Sequence, residues 1–216
     1  MLDERARTLQ AQSVTPHSGT IHFVSLNSPW THLGAARLEA MVARHNATLS
    51  IYPVEFSTIF SASGGLPLPK RSPQRQAYRM QDLARWRDHL SIPIHLRPRF
   101  FPADEGLAAR CVIAARETIG DGPAIALAHG VLKALWEEER DTGNREVLAT
   151  LIGKVGLDAT SLLALAAQEQ WAEQRARDTL DALARGVFGA PSYVAGEEIF
   201  WGQDRLEFLD RRLAKG

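Results

Sequence analysis

Ser28 and Pro29 are the residues best placed for chemistry in this 216-residue chain, directly after the apolar run IHFVSLN. The pattern predicts that Ser28 caps a helix beginning at Pro29, because serine accepts from free backbone N–H groups and proline suits the first helical position. A helix N-terminus carries a positive partial charge, which favours an anion such as a thiolate. Ser28 is therefore predicted to cap the helix at an end that favours a bound anion.

The rest of the composition narrows the chemistry by exclusion. Cys111 is the only cysteine, so the chain has neither a Cys-x-x-Cys redox motif nor a cysteine-rich zinc site, and no metal site is expected. Twenty-five basic and 25 acidic residues give no bulk charge that would favour nucleic acid. The sequence shows no membrane-spanning or signal-peptide pattern. We therefore expect a cytoplasmic protein without nucleic-acid or membrane partners, in which residues 1–19 form a flexible tail.

The hydrophobic pattern predicts two kinds of structure. A strand, a helix and a second strand (ATLSIYPVEF) form a βαβ unit within residues 20–56. The pattern changes at Ser57, a long Gly/Pro/Ser loop is predicted over SASGGLPLPKRSPQ (61–74), and residues 74–186 show no convincing strand. The predicted helices are QRQAYRMQDLARWRDHL, with Tyr78, Leu83, Trp86 and Leu90 on one face, then 104–119, 123–140, 145–155 and one or two more ending at Gly186. A β-hairpin, PSYVA and IFW, and an amphipathic helix close the chain.

Neither end of the chain has enough strands for a sheet alone, so the two ends must combine into a four-stranded mixed sheet. This order predicts an α/β protein with a thioredoxin-like (DsbA-like) fold and a large all-helical insertion. The thioredoxin-like domain is predicted to comprise residues 20–56 and 187–216, and the helical insertion residues 57–186. In this fold the start of the first helix and a proline loop before the hairpin face the ligand, which points to Ser28 and Pro191.

Six segments between residues 20 and 214 carry a family resemblance at preserved spacing. They are SPWT (28–31), YPV (52–54), YRMQDLARW (78–86), LWEEERD (135–141), ARGVFGAP (184–191) and FWGQDRL (200–206). The set resembles the 2-hydroxychromene-2-carboxylate isomerase family, relatives of the kappa-class glutathione transferases in the DsbA branch of the thioredoxin superfamily. The resemblance implies glutathione as cofactor, with Ser28 on its sulfur, Ala190 and Pro191 along its backbone, and Gln203 and Asp204 at its γ-glutamyl end. It also implies a homodimer.

The sequence departs from this family at several positions. Arg75 stands where active members usually carry lysine; it retains the charge for a glutathione carboxylate but is a planar fork rather than a point charge. Lys70 and Arg71 are possible substitutes for that lysine. Trp30 replaces a commoner tyrosine, and together with Phe56 and Tyr78 it is predicted to line the substrate pocket.

Three functions follow from this interpretation. The first is a glutathione-dependent cis–trans isomerase acting on a small aromatic carboxylate, with Ser28 as the catalytic residue. The second is a kappa-like glutathione transferase. The third is a redox-inactive DsbA-like module that binds peptides in a groove of the helical insertion. Disulfide oxidoreductase chemistry is excluded at this stage, because no cysteine lies near Ser28.

Overall fold

A four-stranded mixed sheet organises the protein, whose computed structural model describes residues 19–215. The strands are β1 (Thr20–Val24), β2 (Leu49–Pro53), β3 (Ser192–Ala195) and β4 (Glu198–Trp201), in the order β2-β1-β3-β4. β1 pairs with β2 in parallel and with β3 antiparallel, and β3 pairs antiparallel with β4. This is the predicted thioredoxin-like sheet, assembled from both ends of the chain. The predicted tail lies outside the described residues apart from Gly19.

Helices account for most of the remaining chain. They are α1 (Pro29–Arg44), α2 (Phe56–Ser63), α3 (Pro73–Leu90), α4 (Gly106–Thr118), α5 (Asp121–Trp136), α6 (Arg145–Lys154), α7 (Ala159–Ala166), α8 (Gln170–Ala184) and α9 (Leu206–Leu213). Single 3₁₀ turns occur at Leu68–Lys70 and Gln203–Arg205. The block from α2 to α8 confirms that a helical insertion separates the two parts of the sheet.

The sheet is covered on both faces because β1 is buried along its whole length. Alternate side chains point to opposite faces of a strand, and Ile21 and Phe23 pack in one cluster with residues of α2 and α8. Val24 belongs to the larger cluster, which also contains buried side chains of α1 and of α4 to α7. The helical insertion therefore shares a continuous core with the sheet, and its division into a separate domain remains a prediction.

A buried ion pair ties the helical insertion to β2. The Arg116 guanidinium of α4 contacts the Asp178 carboxylate of α8 at 2.8 Å, and both side chains are only 5% exposed. Arg116 also donates to the Ile51 carbonyl at 3.0 Å and lies 3.8 Å above the Tyr52 ring. Removing Arg116 would leave the buried Asp178 carboxylate without a cation, which is strongly destabilising, whereas removing Asp178 would leave Arg116 paired with the more exposed Glu117 carboxylate at 2.8 Å.

Three local predictions are wrong. An unpredicted helix, α2, includes the first three residues of the loop predicted over 61–74, and the helix predicted over 123–140 ends at Trp136, so that Glu137 lies outside it. Tyr78 does not share the packed face of α3: its side chain is 59% exposed, and Leu83 is the one buried residue of that helix. The first ten residues of α3 contain no fully buried side chain.

Candidate functional site

Ser28 caps α1 as predicted, and its hydroxyl keeps a free donor. Ser28 Oγ accepts from the Thr31 backbone N–H at 3.3 Å, and Pro29 occupies the first turn. Among the described residues no acceptor takes the Ser28 hydroxyl proton, and the buried Thr31 hydroxyl has no partner either. A half-buried O–H donor at a positive helix end suits a ligand sulfur that carries negative charge.

The turn that presents Ser28 is held by a carboxylate from the helical insertion. Glu105 Oε2 accepts from the Ser25 hydroxyl at 2.8 Å, from the Asn27 backbone N–H at 3.1 Å and from the Asn27 amide at 3.3 Å. Its other oxygen accepts from Arg175 of α8 at 2.7 Å. Asn27 also pairs with Ala103 through both its side-chain oxygen and nitrogen, at 2.9 Å each. The position of Ser28 therefore depends on residues distant in sequence.

The proline loop and the Ser28 turn lie at the same end of the two central strands, β1 and β3. The Ala190–Pro191 peptide bond is cis. Ser192, the next residue, pairs with Phe23 near the end of β1, which leads into the Ser28 turn. The two ligand-facing elements predicted from the sequence are thus brought together.

Two exposed aromatic rings border the proline loop. The Trp201 and Phe188 rings lie 4.8 Å apart, and both side chains are exposed. A side chain at Gly189 would overlap the Trp201 indole, so this residue must be small. The loop therefore carries an aromatic edge that the sequence alone did not indicate.

Asp204 and Gln203 follow the hairpin but face different surroundings. The Gly202 N–H donates to the Pro191 carbonyl at 2.9 Å, which joins this segment to the proline loop. Asp204 is exposed, with its carboxylate 2.9 Å from Arg205, and remains accessible to a ligand amine. Gln203 is 2% exposed and its amide oxygen accepts from Arg37 of α1, so its side chain serves helix packing.

The other predicted site residues are dispersed. Arg75 is exposed on the first turn of α3, and Trp30 is half-buried against the main core. Phe56 is a core residue whose ring packs 5.8 Å from Phe60, and Tyr78 stands in solvent near Arg85. No hydrogen bond or ring contact of Phe56 or Tyr78 reaches the Ser28 turn, so their pocket role remains a prediction.

Two histidines near the Ser28 turn in sequence, His22 on β1 and His32 on α1, are buried. His32 Nε2 contacts Glu137 Oε1 at 2.8 Å, yet burial lowers the pKa of His32, with the partner carboxylate opposing that shift. His22 on β1 is fully enclosed, its ring 4.8 Å from that of Tyr193, and burial followed by the charge of His129 holds its pKa well below the ordinary value. Burial therefore favours the neutral form of both rings.

Comparison with known proteins agrees with this geometry. The family model of the DsbA-like thioredoxin domain matches residues 21–214. The chain belongs to this family. This DsbA-like protein is 27% identical over 187 residues to a 2-hydroxychromene-2-carboxylate isomerase of Sphingobium xenophagum, with 86% of the chain and 93% of the relative covered. It is 26% identical over 203 residues to human glutathione S-transferase kappa 1, covering 89% of each.

A solved structure gives the same family picture. The structure of a 2-hydroxychromene-2-carboxylate isomerase superimposes with a TM-score of 0.75 at 25% identity, covering 91% of this chain and 94% of that one. The resemblance to these isomerases and to kappa-class transferases is therefore confirmed. No helix within residues 19–215 of this DsbA-like protein combines the length and apolarity needed to span a bilayer.

Sequence reasoning missed the residues that anchor the site. Glu105 is 80 positions from Ser25, and no local pattern connects them.

Proposed function

We propose that this protein is a glutathione-dependent cis–trans isomerase acting on an aromatic carboxylate, of the 2-hydroxychromene-2-carboxylate isomerase type. One observation carries the proposal: the Ser28 hydroxyl, with its proton unused, sits at the N-terminus of α1 beside the proline loop. The isomerases among the relatives support the reaction type.

Each residue of the site has a distinct task in this proposal. Ser28 donates its hydroxyl proton to the ligand sulfur and, with the α1 dipole, keeps that sulfur ionised at neutral pH. The Ala190–Pro191 backbone aligns the cysteinyl part, and the exposed Asp204 carboxylate accepts from the γ-glutamyl amine. Arg75 pairs with a glutathione carboxylate. Bound glutathione supplies a thiolate nucleophile, whose reversible addition allows a conjugated double bond of the substrate to rotate.

Cys111 takes no part in this chemistry, which also argues against disulfide exchange. The thiol is buried in α4, and burial raises its pKa to about 12. It is therefore protonated and poorly nucleophilic at neutral pH. Ser28 cannot form a mixed disulfide in its place.

A kappa-like glutathione transferase is the second candidate, favoured by the likeness to human glutathione S-transferase kappa 1. The same Ser28 geometry would then activate glutathione toward an electrophile, and the product would be a released conjugate. Product analysis separates the two functions, because an isomerase returns glutathione unchanged. The homodimer and the cytoplasmic location remain predictions.

Ser28→Ala tests the proposal, with Asn144→Ala as its matched control. Asn144 caps α6 through bonds of 2.8 and 3.2 Å to Glu146 and Val147, so both variants lose a helix cap worth about 1 kcal/mol. Calorimetric titration with glutathione and a spectrophotometric isomerisation assay are run on both. We expect Ser28→Ala alone to lose binding and turnover at least about tenfold, the size of one charge-assisted hydrogen bond. Absence of glutathione binding to the wild type, or equal behaviour of the two variants, would contradict the proposal.

A further inference from the structure

Three arginines at the beginning of α3 form a cationic cluster. Arg75 and Arg79 are one helical turn apart, so their side chains share a face, and Arg71 lies just before the helix. Within residues 19–215, no carboxylate lies within 4 Å of any of these guanidinium groups. The Arg71 guanidinium donates to the Leu66 carbonyl at 2.8 Å, and that of Arg79 donates to the Met80 sulfur at 3.9 Å.

The Arg79 guanidinium lies against two aromatic rings. It lies 5.4 Å from the centre of the Phe101 ring and 6.0 Å from that of Trp136, and these two rings are 5.0 Å apart. Burial, followed by the positive charge of Arg71, lowers the pKa of Arg79 to about 10. A half-buried cation without a counter-ion is costly, so this group is arranged to receive an anion.

A chain of contacts connects the cluster to the N-terminal half of α1. Farther along both helices, Arg37 of α1 lies over the Trp86 ring of α3 at 5.8 Å. Toward the two N-termini, Arg79 lies over Trp136, whose neighbour Glu137 contacts His32 of α1.

Phe101, the other ring under Arg79, is also connected to the Ser28 turn. Phe101 belongs to the segment that pairs with Asn27 through Ala103, directly before Ser28. Residues close to Phe101 and Trp136 in sequence, Ala103 and Glu137, therefore pair with Asn27 and His32 on either side of Ser28.

We propose that Arg79, assisted by the positive charge of Arg71, binds the carboxylate of the aromatic substrate and so positions its double bond beside Ser28. A guanidinium fork matches a carboxylate in a bidentate geometry, which suits selection of an organic acid. This inference rests on the proposed function, since it names the side chain that binds the carboxylate of the proposed substrate.

The test measures binding in the absence of glutathione. Calorimetric titrations compare chromone-2-carboxylate with its uncharged amide, on wild type, Arg79→Gln, Arg79→Lys and Arg87→Gln. Arg87 is a matched control on the same helix, already paired with Asp88 at 2.8 Å. We expect the wild type to prefer the acid, Arg79→Gln to weaken acid binding about 10- to 100-fold with little change for the amide, and Arg87→Gln to behave as wild type.

Arg79→Lys keeps the charge and most of the stem, so it keeps the test decisive if Arg79→Gln fails to fold. It should weaken acid binding by an intermediate factor, because an ammonium lacks the fork. Equal binding of acid and amide to the wild type, or equal effects of the Arg79 and Arg87 variants, would overturn the proposal. Tighter binding of inorganic phosphate than of the acid would also overturn the carboxylate assignment.

A second titration, with glutathione alone, separates the two sources of carboxylate. If Arg79→Gln weakens glutathione binding while leaving chromone-2-carboxylate unaffected, the cluster serves glutathione and the substrate assignment is wrong. If the acid binds as expected but the enzyme neither binds glutathione nor isomerises, the proposed function fails while the anion site stands. If Arg79→Gln weakens acid binding and leaves glutathione binding intact, the assignment of Arg79 to the substrate is supported and the proposed function stands.

Discussion

Glu105→Gln perturbs the anchor of the Ser28 turn without changing the size of the side chain. The carboxylate accepts three bonds from Ser25 and Asn27 on one oxygen and one from Arg175 on the other. A glutamine oxygen can face only one of these groups, and its NH₂ then points at donors on the opposite side. The substitution also removes the negative charge that faces Arg175.

The expected cost follows from these contacts. Arg175 stays partly compensated in the variant, because it also donates to the Val54 carbonyl at 3.3 Å and lies 3.8 Å from Glu55. The loss is therefore that of one charge-assisted hydrogen bond rather than of a fully buried pair, about 2 kcal/mol. For an m-value near 2 kcal/mol per molar urea, this loss lowers the midpoint of urea unfolding by about 1 M. The m-value itself should be unchanged.

Glu55→Gln is the matched control, since it removes the second carboxylate facing the same guanidinium. Glu55 is 47% exposed at 3.8 Å from Arg175, a geometry worth between 0 and about 1 kcal/mol. Glu105→Gln should also weaken glutathione binding at temperatures where the variant is fully folded, whereas Glu55→Gln should not. A difference in unfolding free energy below about 0.5 kcal/mol between the two variants, the usual scatter of surface substitutions, would refute this account of the turn.

Three further predictions concern stability and reactivity. Gly34→Ala should destabilise the fold by about 1–3 kcal/mol in urea unfolding, since the new methyl would lie 2.6 Å from the Tyr193 hydroxyl; Gly130→Ala, within α5 and with open space around it, should stabilise by up to about 1 kcal/mol. The pKa of His22 is lowered in the folded state, so the unfolded chain binds the proton more readily. The free energy of unfolding should therefore fall as the pH drops below about 6.5, by up to about 1.4 kcal/mol per pH unit, and His22→Phe should flatten that slope. Cys111 should react with a disulfide reagent only after denaturation, because its pKa is about 12 when buried; rapid reaction of the native protein would contradict its placement.

Local signals were sufficient for the parts of the site that depend on neighbouring residues. Serine followed by proline after a strand specified both the cap and the start of α1, and both are observed. The proline before the hairpin likewise indicated a ligand-facing loop, and its peptide bond is cis. These features arise from backbone hydrogen bonding and fixed φ angles, which a few residues determine.

Tertiary packing decided what the sequence could not. Helical periodicity placed Tyr78 on a face with Leu83, but periodicity does not show whether another element covers the whole length of that face. Helix α2 was missed because its Ser-rich and β-branched residues have weak helix propensity, and burial of Phe56 and Ile59 compensates for it. Glu105 and Arg79 act on the site from the helical insertion, so only the folded chain reveals them.

The position of the helical insertion also bears on how the protein folds. β1 meets β2 locally, but Phe23 reaches Ser192 only after the whole insertion has been traversed, and Ser25 meets Glu105 across 80 positions. Long-range contacts of this kind close late, because the entropy of loop closure opposes them until other contacts form. A chain emerging from the ribosome can thus complete the βαβ unit early. The Ser28 turn gains its anchor, Glu105 before α4 and Arg175 of α8, later, and its proline loop last of all. Competence for ligand binding should therefore appear only with the final strand pair, which makes it a sensitive report of complete folding.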